Sequence, residues 1–205
     1  MTNQERMLEG KLYLANDPEL ISLRRNAKRL LEEFNQTSFI DGKRRNFILK
    51  QLFKETGKAI YIEPHFHCDY GINISIGESF YANYDCIMID VCEIKIGNNV
   101  FLGPRVIINT ATHPIDKDVR NTQLELGKPI TIGNDVFIGS GVIINPGLTV
   151  GDNVVIGSGS VVTHNLPSNA VYVGNPAKKL RDIDEKDAEL WKKEEADYHE
   201  EMRKK

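Results

Sequence analysis

The residues best suited to chemistry sit in a stretch where a repeat breaks. Thr112-His113-Pro114 places an imidazole in that break, and Glu125 follows twelve residues later. An imidazole with an unperturbed pKa of about 6.5 can take a proton from a hydroxyl as that hydroxyl attacks an electrophile. A carboxylate on one ring nitrogen would fix the tautomer and leave the other nitrogen to accept the proton. Taken alone, a histidine before proline reads as readily as a surface-loop residue, and Glu125 as a solvated loop carboxylate. A second group, His65-Phe66-His67-Cys68, alternates as a strand would, so both imidazoles could face one side and bind zinc. No further histidine lies at an evident spacing near His113, and metal catalysis is the weaker reading. Cys68, Cys86 and Cys92 cannot all pair and form no CxxC, which suits reduced thiols in a cytoplasmic protein.

The elements that must hold these residues are announced by a period of six. From Ile96 the chain reads IGNNVF, LGPRVI, INTATH, then IGNDVF, IGSGVI, INPGLT, VGDNVV, IGSGSV, VTHNLP. The first position is always aliphatic and glycine commonly follows it. A helix would repeat at three and four residues, and a lone strand at two. A period of six fits a short strand and a sharp turn, with three strands per triangular coil and like residues stacked in successive coils. Glycine is expected to supply the turn geometry, and Asn98, Asn99, Asn134 and Asn153 to tolerate left-handed backbone. Upstream the pattern restarts out of register at Ile76-Gly77. Residues 109–131, which carry His113 and Glu125, lose the hexads and read as an excursion loop; loops that leave a solenoid tend to line binding sites.

Flanking segments differ in kind. Residues 1–58 have helical character: Leu20, Leu23, Ala27, Leu30, Leu31 and Phe34 recur at helical steps behind an Asp17-Pro18 start. A second helix is expected over Gly42 to Glu55. Coils are expected over 59–181, and 182–205 mixes Glu and Lys as a solvated charged helix would. A net charge of -3 across 205 residues gives no basic excess for nucleic acid. No apolar run reaches the roughly 20 residues of a membrane span, and the polar start does not read as a signal peptide.

The order Asn109, Thr112-His113-Pro114, Arg120, Glu125, Gly127-Lys128-Pro129 and the return ITIGNDVFIGSGVIINPGLTVGD resembles the maltose and galactoside O-acetyltransferase group of hexapeptide-repeat acyltransferases. The opening MLEGKLY with the later DPEL, LRR and FN resembles the helical segment of that group, so the likeness runs from Met7 to about Ile183. It implies a mainly β fold, a left-handed parallel β-helix, assembled as a homotrimer. It also implies transfer of acetyl from acetyl-CoA to a sugar hydroxyl in a ternary complex, without a metal or an acyl-cysteine. His113 is then the general base, Glu125 its orienter, and a backbone N–H near Ser140 the oxyanion donor. Positions matching the group's CoA contacts are Ser140, Ser158, Thr163, His164, Lys178 and Arg181, although some members carry a basic residue in place of His164. Asp69 and Asn83 match acceptor contacts. Galactoside-acetylating members carry an aspartate where this chain has Val91, with Asp90 adjacent, and Asp17 is equally a helix cap. An amine or drug acceptor and a non-catalytic scaffold are the alternatives.

Overall fold

Each aliphatic hexad residue finds its burial by stacking on the next. The structure is a computed structural model that describes residues 1–204, and it is a β-helix of three parallel faces. The first face stacks His67–Cys68, Ile87–Ile89, Ile107–Asn109, Ile143–Ile144 and Val161–Val162. Glu55–Thr56, Ile74–Ile76, Ile94–Ile96, Ile130–Ile132 and Thr149–Val150 form the second. The third runs from Ile60–Ile62 through Phe80–Ala82, Phe101–Leu102, Phe137–Ile138 and Val154–Ile156 to Ala170–Val173. Leu102 pairs with Ile138, Ile138 with Ile156, Ile108 with Ile144, and Ile144 with Val162. All of these are buried in one continuous core.

The early coils are longer than the hexads allow. Ile76 pairs with Ile96, twenty residues on, whereas Ile132 pairs with Val150, eighteen on. Two extra residues per coil move the period off six without disturbing the inward stacking, which is why the pattern upstream looked out of register.

At the corner after the second face, side chains cap the coil below. Asn98 Oδ1 accepts from Glu78 N–H, Asn134 Oδ1 from Asn98 N–H, and Asp152 Oδ1 from Asn134 N–H. Left-handed backbone there belongs to Asn99, Asp135 and Asn153, with φ of 55°, 57° and 52°. The asparagine expectation therefore holds for Asn99 and Asn153, while Asn98 and Asn134 serve as ladder acceptors. The glycines of this corner do something else. A Cβ on Gly97 would stand 2.6 Å from the carbonyl oxygen of Gly133 in the coil above. They permit close stacking, and the left-handed glycines, Gly141 and Gly159, lie at the corner after the third face.

The N-terminal helices close the open end. α1 (Asn3–Leu8) starts with a Thr2/Glu5 capping box. α2 (Pro18–Asn35) starts at Asp17, whose carboxylate accepts from Glu19 N–H. α3 (Gly42–Leu52) ends three residues before the expected Glu55, because Lys54 N–H already bonds Ile74 O in the first coil. Leu30, Phe34, Ile48, Leu49 and Leu52 join the coil core.

The excursion is ordered. Ala111–Thr112 and Leu124–Gly127 pair antiparallel around α4 (Lys117–Asn121), and Tyr13–Leu14 adds a third strand. At the other end, Lys178–Asp182 folds back antiparallel on Ala170–Val173 and leads into α5 (Glu185–Arg203), which has no buried residue. No helix among the described residues is long and apolar enough to cross a membrane.

The close approach at Gly97 has a direct test. Gly97→Ala must push two backbones apart and is expected to cost about 1–3 kcal/mol of stability, read as a lower midpoint in denaturant. An unchanged midpoint would mean the coils are not held that closely.

Candidate active site

The corner that follows the first face gathers the acid–base groups. Asn109 ends its strand and its Oδ1 accepts from Ala111 N–H at 2.8 Å, turning the chain out of the coil. The hairpin that follows returns Glu125 opposite the start of the excursion. His113 Nε2 lies 3.7 Å from Glu125 Oε2, within ion-pair reach but longer than a hydrogen bond. Arg120 donates to the carbonyls of Pro114 and Ile115 at 2.8 and 2.9 Å, fastening the chain just beyond His113.

The N-terminal segment supplies the opposite wall. A cleft of about 420 Å³ is lined by His113, Glu125, Arg120 and Gln123 on one side, and by Ala15, Asn16 and Arg24 on the other. Arg24 donates to the Tyr70 hydroxyl and to Ala15 O, and its guanidinium stacks 5.5 Å from the Tyr70 ring centre. Burial raises the Tyr70 phenol to about 12 although Arg24 pulls it down. Asp69 lies at the same corner. Burial holds its carboxyl above the ordinary range, against the opposing pull of Arg24 and Lys28. Asp17 is absent from the cleft and caps α2, with its second oxygen on Asn3.

Asp90 had no assigned role, yet it organises this corner. It is wholly buried and its carboxylate accepts from the N–H groups of Asp69, Tyr70 and Asn73 at 3.0, 2.8 and 3.4 Å. Those bonds fix the turn that presents Asp69. Burial nevertheless pushes its carboxyl up to about 7. With Asp90 buried and an apolar Val91 beside it, no carboxylate at these two positions faces the cleft.

Asn83, Ser140 and Ser158 stand at a different corner, the one after the third face. Asn83 Oδ1 accepts from Tyr84 N–H, and its amide nitrogen makes no hydrogen bond among the described residues. One coil on, Gly103 packs against Ser140, whose own N–H donates to Ser158 Oγ at 3.1 Å. Nothing stands within 4 Å of where a Cβ on Gly141 or Gly159 would be, so this column is an open groove. Asn83 and Asp90 flank the first-face strand Ile87–Ile89 with six residues between them, roughly 15–20 Å of extended chain. A single chain therefore does not bring His113 and Asp69 to Asn83 and Ser140.

The remaining positions lie on the upper coils. Thr163 and His164 are exposed neighbours, 3.5 Å apart at Oγ1 and Nδ1. Lys178 is exposed and forms no ion pair among the described residues. Arg181 is already held by Asp187 in a bidentate pair at 2.6 and 2.7 Å. His65 and His67 are exposed, and no three His, Cys, Asp or Glu side chains converge as a metal cage among the described residues. Cys68, Cys86 and Cys92 are buried. Burial raises all three thiols, Cys86 and Cys92 to about 11, which disfavours the thiolate form that a nucleophile needs.

Comparison with known proteins matches both ends of this architecture. The family model for the maltose acetyltransferase hexapeptide capping motif matches residues 6–57, and that for bacterial transferase hexapeptide repeats matches 129–164. The chain is 38% identical over 194 residues to galactoside O-acetyltransferase of Escherichia coli strain K12, covering 95% of this chain and 96% of the relative. A crystal structure of a maltose O-acetyltransferase from Clostridium difficile 630 superposes with a TM-score of 0.89 at 53% identity, covering 90% of this chain and 98% of the other. A galactoside acetyltransferase in complex with coenzyme A also superposes at 0.89, with 39% identity over 92% and 94% of the two chains.

The buried Asp90 generates a pH signature. With a folded pKa near 7 against about 4 in the unfolded chain, its contribution to stability is full below pH 4 and is lost as pH rises through 7. Wild type minus Asp90→Asn, compared by denaturant unfolding, should therefore decline between pH 4 and 7. A flat difference would mean that Asp90 is ionised with an ordinary pKa in the folded protein.

Proposed function

The chain belongs to the maltose and galactoside O-acetyltransferase family of hexapeptide-repeat transferases, and on that premise we propose that it moves acetyl from acetyl-CoA to a sugar hydroxyl. The observation that carries this reading is the His113–Glu125 pair in a cleft rimmed with hydrogen-bonding side chains. Asn16, Asn121 and Gln123 there offer amide donors and acceptors, which are the partners that sugar hydroxyls need.

Glu125 faces Nε2 of His113, so a proton held there leaves Nδ1 as the acceptor. The sugar hydroxyl attacks the thioester carbonyl carbon while its proton passes to Nδ1. The tetrahedral oxyanion then expels the CoA sulfur, which takes that proton from the imidazolium. Ser140 N–H already donates to Ser158 Oγ and Gly141 N–H to Pro104 O, so a backbone donor there must exchange partners, whereas the Asn83 amide nitrogen is free among the described residues to meet the oxyanion. The Gly141 and Gly159 groove suits a pantetheine arm, with Ser140 and Ser158 beside it. Thr163 and His164 follow the last strand of the first face and so would meet the CoA from a neighbouring copy, Lys178 lies on the strand after the final coil, and Arg181 reaches a CoA phosphate only by leaving Asp187.

These two half-sites call for more than one chain. Outward residues of the first face are Ile87, Ile89, Ile107, Ile143 and Val161, whereas the second face shows Ser75, Lys95, Thr131 and Thr149. Three copies turning their first faces to a common axis would cover the apolar row and bring the His113 corner of one against the Asn83 corner of the next. Such closure also keeps water from the thioester. We take the homotrimer as the working assembly.

Thiol release from acetyl-CoA against maltose, glucose, galactosides and an amine tests the reading. The expected result is sugar-dependent release, with His113→Ala losing at least about 100-fold in kcat while still binding acetyl-CoA. A variant that keeps more than a tenth of the rate would remove His113 from this role, and amine-dependent release would move the acceptor to another class.

A further inference from the structure

Tyr13 lies far from the excursion in sequence and had no place in the chemistry read from it. It is the first residue of the short strand Tyr13–Leu14, and it pairs directly across from Glu125. Opposed residues of an antiparallel pair project to the same side. Tyr13 has no exposed surface and packs among Met7, Leu20, Tyr70 and Val91. Its strand is tied in twice, by Leu14 N–H to Asn3 Oδ1 and by Arg24 to Ala15 O. From that fixed position its hydroxyl donates to Glu125 Oε1 at 2.7 Å.

We propose that Tyr13 is a positioning residue of the acetyl-transfer site, holding one oxygen of Glu125 so that the other is presented to His113. The proposal rests on the reading of His113 as base and Glu125 as its partner. A lone carboxylate on a two-residue-wide hairpin can rotate about its last bond and share both oxygens with water. With Oε1 taken by a buried phenol, only Oε2 remains for the imidazole, and that oxygen is the one 3.7 Å from His113 Nε2. Burial, reinforced by the Glu125 bond and charge, keeps the proton on Tyr13 far above the ordinary phenol range. Tyr13 is thus a donor at every pH at which the protein works, and cannot compete with His113 as a base. The N-terminal segment, beyond capping the coils, carries the group that orders the catalytic carboxylate.

The bland alternative is a core tyrosine whose hydroxyl merely found a partner, and the two differ in what the hydroxyl moves. Tyr13→Phe keeps the ring and removes the donor. Expected are a fall of about tenfold in kcat with KM for both substrates little changed, and an acid limb of the kcat/KM profile displaced to higher pH. The displacement follows because a carboxylate stripped of its donor is more basic and holds the imidazolium proton more tightly. In a Glu125→Gln background, Tyr13→Phe should add nothing, since it acts through that carboxylate. An unchanged kcat and pH profile, or an equal loss in both backgrounds, overturns the proposal. Failure of the underlying reading shows separately, as activity retained by His113→Ala. If Tyr13→Phe does not fold, 3-fluorotyrosine at position 13 keeps the ring and strengthens the donor. It should displace the acid limb to lower pH, and an unmoved limb is equally fatal.

Discussion

One constraint underlies the whole molecule: a triangular coil of short strands can bury its aliphatic residues only against another coil. Everything regular in the chain serves that stacking. The inward column Leu102, Ile138, Ile156 and its counterparts supply the hydrophobic gain, at roughly 25 cal/mol per Å² of apolar surface. Gly97 and Gly133 let the backbones meet, and the Asn98, Asn134 and Asp152 acceptors satisfy corner N–H groups that no strand can pair. Because successive coils are locked in register, a residue at a corner has a fixed neighbour one coil away. Rigid corners are what a site needs, since groups placed on them move little relative to one another.

The proposed chemistry draws on two of those corners, only one of which departs from the repeat. At one, the chain leaves the coil at Asn109, forms a hairpin, and returns with His113 and Glu125 paired. The N-terminal segment then closes over them with Tyr13 and Arg24, while buried Asp90 in the next coil ties down the turn bearing Asp69. At the other corner the repeat continues almost undisturbed, and left-handed glycines leave an open groove beside Ser140 and Ser158. The proposed acid–base pair thus sits on ordered irregular structure, and the groove proposed for the co-substrate belongs to the regular solenoid.

How far this could be read in advance varies with the range of the interaction. The β-helix was legible because its signal is local and repeated: every hexad from Ile96 votes for the same inward column. The twenty-residue coils between Ile76 and Ile96 were opaque, since two added residues erase the period while preserving the pairing. Turn geometry explains Gly141 and Gly159 but not Gly97 or Gly133, because a close approach by the next coil leaves no trace in the glycine's own neighbours. His113 and Glu125 were found as residue types in a break, but their 3.7 Å meeting depends on antiparallel strands too short to show periodicity. The contacts of Tyr13 and Asp90 were invisible. Their bonds are long-range, across 112 residues for Tyr13 to Glu125 and about 20 for Asp90 to the N–H groups of the Asp69 turn, and the MLEGKLY stretch that contains Tyr13 says nothing of its partner.

The division of the proposed site between two corners decides whether one chain can work alone. Co-expression of His113→Ala and Asn83→Ala chains under different tags, followed by isolation of the doubly tagged assembly, addresses it directly. Each variant alone has lost one half-site at every position. If the half-sites of neighbouring copies join, the mixed assembly contains intact pairs, and its acetyl-transfer rate should rise well above that of either variant by itself. A mixed assembly no more active than its parents would mean that His113 and Asn83 serve the same chain, and the two-corner arrangement would have to be abandoned.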